Sequence, residues 1–187
     1  MNLNELIHST SFNAFLVDVA GVLFSKKGYT SIASTCFKEL QAISPTFLAT
    51  NNSYAYTSTI SETLLKNADI QIAEDAIFSS GHGLAHDPHI RSLLKEKCVY
   101  FLGNPSSLHY LLDAPIKGHT ENLDNANAIV LANYTDLNSE AELTAIINRA
   151  TQDPSCPVIC CNPDQHILGE SGLIPVMGHY ATHVEKR

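Results

Sequence analysis

The chain carries little positive charge and nowhere gathers it. Eleven Lys and Arg stand against nineteen Asp and Glu, a formal charge of -8. The densest basic cluster is the pair Lys26 and Lys27. A nucleic-acid surface needs a basic face, so that class of partner is excluded. Apolar runs approaching about eighteen residues are also missing, which argues against a membrane-spanning helix. The opening "MNLNELIHSTS" has neither the basic nor the apolar region of a secretory signal, so none is expected. The five cysteines (Cys36, Cys98, Cys156, Cys160, Cys161) are odd in number and lack metal-type pairing. They read as reduced thiols of a cytoplasmic protein. Internal repeats and low-complexity linkers are absent. What is present is globular: 187 residues, 44% hydrophobic and 16% charged, enough for one ordinary domain or two small ones.

The hydrophobic pattern alternates between strand and helix periods. "AFLVDV" is a short continuous apolar run, as expected of a strand covered on both faces. "TSIASTCFKELQAI" places Ile32, Cys36, Phe37, Leu40 and Ile43 at helical spacing, and "PTFLAT" reads as a second buried strand opened by Pro45. "TSTISETLLKNA" is an amphipathic helix with Thr57 or Ser58 as its N-cap. "DAIFSS" is a short apolar segment closed by Gly81, and "CVYFLG", "ANAIVLANY" and "CPVICCN" are further strands. Between the last two lies "SEAELTAIINRAT", a helix capped by Ser139. This alternation predicts an α/β fold.

In open α/β sheets, ligands sit beyond the carboxyl ends of the strands. The first strand ends at Asp18, followed by Gly21, and the second ends in "TNNS", Thr50 to Ser53. One helix joins them, so a right-handed crossover predicts parallel neighbours with Asp18 and Thr50 at the same sheet edge. A carboxylate beside a hydroxyl and turn amides can attack and hold a phosphoryl group, provided Mg²⁺ offsets the repulsion of the two anions. Taken singly, Asp18 also suits an Asx-turn, and Thr50 with Asn51 a strand end or helix cap. Their joint placement favours a site.

"FLVDVAGVLF" and "FLATNNS" resemble motifs I and II of the haloacid dehalogenase superfamily, and more narrowly of its class IIA phosphatases, the p-nitrophenylphosphatase and pyridoxal-phosphatase type. "TNNSYAYTSTISETLLKNADIQIAEDAIFSSG", "VYFLG" and "PVICCNPDQHILGESGLIPVMGHYA" agree in order, so the resemblance runs from about Phe12 to Val184. It implies a Rossmann-like core in the N-terminal part, residues 1–95 with motifs I and II. Residues 96–187 would be an α/β C2-type cap and the start of the returning helix. It further implies an Mg²⁺-dependent phosphatase of small phosphorylated metabolites that works through an aspartyl-phosphate. Asp18 matches the nucleophile and a metal ligand, and the Ala20 backbone carbonyl a second contact to the metal. Thr50 matches the phosphate-binding hydroxyl, with the Asn51 amide beside it. Asn162, Pro163 and Asp164 match a block on the substrate side of the cap.

Two departures bear on activity. The family's second aspartate, its general acid/base, is Ala20 here. The motif III lysine and motif IV acidic pair are expected after "HVEKR", and Lys186 lacks their Gly-Lys-Pro context. Mg²⁺ would then keep one protein carboxylate at most. The expectation is an incomplete or inactive phosphatase, with a catalytically degenerate binding or regulatory protein as the alternative. Phosphonoacetaldehyde hydrolases also carry alanine at this position, but use a lysine from a cap inserted between motifs I and II. The interval from Asp18 to Thr50 leaves no room for such a cap. The expected partner is a small phosphorylated metabolite, with neither nucleic acid nor membrane; homo-oligomerisation is left open.

The other suggestive residues favour structural readings. His82, His86 and His89 have metal-like spacing, but Pro88 interrupts any shared helix. His179 and His183 stand four apart on an expected helix without a zincin glutamate. Cys160 and Cys161 read as buried strand residues. "GNPSS" reads as a strand-to-helix turn with a capping serine.

Overall fold

Runs of three to five residues fold, among the described residues, into a three-stranded and a four-stranded sheet, beside two two-stranded hairpins. The structure is a computed structural model that describes residues 11–25, 28–29, 31–133, 140–169 and 172–185. It divides into two compact units, Met1–Thr50 with Tyr56–Phe78, and Asn51–Ala55 with Ser79–Arg187.

The first unit contains β1 (Phe15–Asp18), the short hairpin of β2 (Phe24–Ser25) and β3 (Gly28–Tyr29), α1 (Ser31–Ile43), β4 (Thr46–Thr50) and α2 (Thr57–Ala68). β5 (Ile77–Ser79) completes a sheet of order β1-β4-β5. β1 and β4 are parallel, with Phe15 opposite Thr46 and Asp18 opposite Ala49, as the crossover predicts. Side chains alternate between faces, so Thr46, Leu48 and Thr50 share one face and Leu16 and Phe47 the other. The first face is buried, as are Phe37 of α1 and Leu64 of α2. The second is open: Leu16 is 68% exposed and Phe78 50%, with the Phe78 ring 5.9 Å from that of Phe47. β1 is therefore not covered on both faces, contrary to expectation. Among the described residues its outer edge also has no paired strand.

The helices of this unit correct two further expectations. On α1 only Phe37 is fully buried, while Ile32 is 75% exposed and Cys36 lies at the surface. The apolar stripe is wider than the surface available to cover it. The N-cap of α2 is Tyr56, with no side-chain hydrogen bond, rather than Thr57 or Ser58. The turn before it is held instead by Asn52 Oδ1, which accepts from the Tyr54 and Ala55 amides at 3.1 and 3.0 Å.

The second unit is built on β6 (Cys98–Leu102), β7 (Gly118–Thr120), β8 (Ala128–Leu131) and β9 (Val158–Cys160). Their order is β7-β6-β8-β9 and every pairing is parallel. α3 (Gly83–His86), α4 (Pro88–Leu94), α5 (Leu108–Leu112), α6 (Glu140–Gln152) and α7 (Met177–Glu185) surround it. An antiparallel hairpin of β10 (His166–Gly169) and β11 (Gly172–Pro175) precedes α7. All four residues of β8 are buried. Ala128 and Val130 pack with Leu94, Val99 and Leu111, and Ile129 and Leu131 with Leu102, Ile146 and Met177. Here the continuous apolar run does mark a parallel strand covered on both faces. The expected cap Ser139 lies outside the described residues. Among the described residues no helix is long and apolar enough to cross a membrane.

Candidate functional site

Asp18 closes β1 at a turn that the next six residues build. The Val19 amide donates to Asp18 Oδ1 at 2.7 Å. The Leu23 and Phe24 amides both donate to the Val19 carbonyl at 3.0 Å, and the Gly21 amide to the Phe24 carbonyl at 2.6 Å. Gly21 has φ +85°, a conformation that costs glycine nothing and a side chain about a kcal/mol or more. Asp18 and Ala20 are both exposed. Position 20 therefore offers water a methyl group where the resemblance calls for a proton donor.

Thr50 closes β4, and it is 7% exposed. β4 lies between β1 and β5, and the β1 backbone runs about 4.8 Å away. The register places Asp18 beside Ala49, so Asp18 and Thr50 leave opposite faces and share only the rim at the carboxyl ends of their strands.

The remaining expected residues lie together in the second unit. Asn51 Nδ2 stands 3.0 Å from both carboxylate oxygens of Asp164. The Asp164 amide donates to Asn162 Oδ1 at 2.9 Å, and its carbonyl accepts from the Gly178 amide at 3.0 Å. Three other side chains hold the same turn. Ser79 Oγ donates to the Asn52 carbonyl at 2.5 Å, Ser53 Oγ to the Ala132 carbonyl at 2.5 Å, and the Tyr110 hydroxyl to the Ala55 carbonyl at 2.7 Å. The sequence reading missed Ser79 and Tyr110. Ser79 ends an apolar segment, a visible signal, but its long-range partner leaves no local trace.

Mg²⁺ is a hard cation that keeps several waters and takes one or two protein carboxylates. Among the described residues no three His, Cys, Asp or Glu side chains are placed to enclose a metal. A hollow of about 390 Å³ lies in the first unit between α1 and the end of α2, lined by Tyr29, Ser31, Lys66 and Asp69 among others. Neither Asp18 nor Thr50 lines it.

The match to known proteins takes in both β1, which ends at Asp18, and β4, which ends at Thr50. The model of the haloacid dehalogenase-like hydrolases matches residues 15–117. The chain belongs to that family. No curated protein matches it in sequence. Among solved structures, a p-nitrophenyl phosphatase from Archaeoglobus fulgidus superposes with a TM-score of 0.77 at 18% identity, covering 95% of this chain and 65% of that one. A possible sugar phosphatase of the same superfamily from Cytophaga hutchinsonii gives 0.76 at 22% identity, with 96% and 66% covered. A glycerol phosphate phosphatase from Mycobacterium tuberculosis, solved with calcium, gives 0.73 at 16%, with 93% and 50% covered. The chain thus shares the haloacid dehalogenase fold over nearly its whole length, and spans one half to two thirds of these relatives.

His82, His86 and His89 fall on three separate elements. His82 belongs to a single turn before α3, His86 ends that helix, and Pro88 starts α4. The His166, His179 and His183 rings lie in sequence 5.3 and 5.1 Å apart. Burial pushes the Cys161 thiol up to about 12 and also raises Cys160, so neither is a ready nucleophile. In "GNPSS" the cap is Asn104, which accepts from the Ser106 amide at 3.0 Å, rather than a serine. Ser107 Oγ instead donates to Asn133 Oδ1 at 2.7 Å.

His82 carries a pH prediction. Its Nδ1 accepts from the Ser79 amide at 3.2 Å, and its ring lies edge-on to Tyr110 with centroids 5.1 Å apart. Burial holds its pKa below the usual 6.5; His86 and His109 add to this and Asp113 opposes it. The folded chain therefore keeps His82 neutral, whereas the unfolded chain binds its proton near the ordinary value. This contribution to stability is present above about pH 6.5 and is lost as pH falls toward the lowered folded value. Thermal melts should show a larger loss of Tm between about pH 7.5 and 5.5 in the wild type than in His82→Asn. Equal losses would remove His82 as the cause.

Proposed function

We propose that this chain is a haloacid dehalogenase-like protein of a cytoplasmic phosphatase lineage for small phosphorylated metabolites, with Asp18 in the place of the nucleophile and a catalytic site that is incomplete or inactive. The observation that carries the reading is the pairing of β1 with β4, which ends Asp18 and Thr50 on adjacent parallel strands. Residues 1–95 would supply the core half. Residues 96–187 would supply the cap, in support of which β6 to β9 form a sheet of their own.

In the reaction, an Asp18 carboxylate oxygen attacks phosphorus while the bond to the leaving oxygen breaks. The Thr50 hydroxyl donates to a phosphoryl oxygen, and the Asn51 main-chain amide extends that cradle. Mg²⁺, held by Asp18 and the Ala20 carbonyl, would offset the repulsion between carboxylate and phosphate. The departing alkoxide needs a proton, and Ala20 has none to give. Water must supply it, which slows alkyl phosphates most and phosphates with acidic leaving groups least. The same methyl group favours the second reading, a scaffold that binds phosphorylated ligands without turning them over.

Both readings require that phosphate binds at Thr50. Titration of the chain with inorganic phosphate in the presence of Mg²⁺ should give an affinity that Thr50→Val weakens about ten-fold or more, as expected for a lost hydrogen bond to a charged group. Unchanged affinity in Thr50→Val would overturn the site.

A further inference from the structure

The turn from Asn51 to Ala55 is gripped from four different elements, and only one grip carries a formal charge. Ser79, Ala132 and Tyr110 contribute neutral hydroxyl-to-carbonyl bonds, whereas Asp164 presents both oxygens of a carboxylate to Asn51 Nδ2. Charge-assisted hydrogen bonds are roughly twice as strong as neutral ones. Asp164 is itself fixed at every polar group. Asn162 takes its amide, the Gly178 amide takes its carbonyl, and Asn51 takes its carboxylate. A carboxylate placed toward a phosphorylated ligand would repel it; one turned onto an amide does not meet the ligand at all.

We propose that Asp164 is a positioning residue for the phosphoryl-binding turn, acting through Asn51, and is not a group that meets substrate. The proposal rests on the reading of Thr50 and Asn51 given above. With Nδ2 committed to Asp164, the contact from Asn51 to a phosphoryl group is its main-chain N–H. Asp164 holds the side chain so that this N–H keeps one orientation.

The test is amide hydrogen exchange on the full chain, comparing wild type, Asp164→Leu and Asp164→Asn. Leucine removes the acceptor at similar volume, and asparagine keeps one acceptor oxygen. Exchange at residues 51–55 should be about ten-fold or more faster in the leucine variant and within about three-fold of wild type in the asparagine variant. Exchange at residues 128–131, in the buried β8, should stay unchanged. Unaltered exchange at 51–55 in Asp164→Leu would overturn the proposal. If leucine loosens β8 as well, the asparagine variant decides: wild-type exchange at 51–55 supports the proposal, and exchange as fast as with leucine overturns it. A phosphate titration of the wild type reports separately on the underlying reading, because failure to bind phosphate leaves the exchange result intact.

Discussion

With p-nitrophenyl phosphate and Mg²⁺, a polypeptide of these 187 residues is expected to turn over at near-background rates, indistinguishable from its Asp18→Asn variant. A phosphoaspartyl mechanism needs a nucleophile, a metal, positive charge on the phosphoryl oxygens and a proton donor. Asp18 and Thr50 are present, but Ala20 removes the donor, a loss of about 10²–10⁴-fold where the leaving group needs a proton. p-Nitrophenolate scarcely needs one. This substrate therefore spares the first step from the effect of Ala20. Breakdown of an aspartyl-phosphate also needs a base to activate water, so Ala20 slows the second step even when the first is spared. Turnover of about 1 s⁻¹ or more, abolished by Asp18→Asn, would show a complete site and overturn the expectation. Should turnover be absent with p-nitrophenyl phosphate while phosphate still binds, the scaffold reading gains.

Gly178→Ala should be the most destabilising single-methyl change in the second unit. A Cβ at Gly178 would lie 2.2 Å from the Pro163 carbonyl oxygen and 2.5 Å from that of Asp164. Both are backbone atoms, which cannot swing aside as a flexible side chain would. The start of α7 or the 162–164 loop must shift, and the Gly178-to-Asp164 hydrogen bond is lost with it. Overpacking of this kind costs about 1–3 kcal/mol, and the broken bond about 1 kcal/mol more. Urea unfolding should show a loss of roughly 2–4 kcal/mol without a change in slope. A loss under about 0.5 kcal/mol would mean that the loop yields freely, and that Gly178 is not there for close approach.

What the sequence disclosed follows from how far each signal reaches. β8 is legible because four consecutive buried residues need both faces covered, and that is a local pattern. The parallel pairing of β1 and β4 is legible because a single crossover helix has one handedness. The exposure of Leu16 is not, because a strand's own residues do not say whether its outer face meets a neighbour. β7 and the β10–β11 hairpin were missed because their residues, among them Gly118, His119, His166 and Gly172, carry neither a long apolar run nor a strict alternation. Asp18 and Thr50 stood out at strand ends, whereas the grip of Asp164 on Asn51 joins residues 113 positions apart. No spacing rule reaches that far.

The register of β1 has a consequence for how firmly Asp18 is held. Among the described residues, β1 has a single neighbour in the sheet, so every inter-strand bond it makes goes to β4. A strand paired on one side has fewer bonds to break in a local opening than one paired on both. Phe15 meets Thr46 across the thirty residues between them, a non-local pairing of the kind that slows folding. The carboxylate proposed as nucleophile thus rides on a strand whose ladder bonds, among the described residues, run to one side alone.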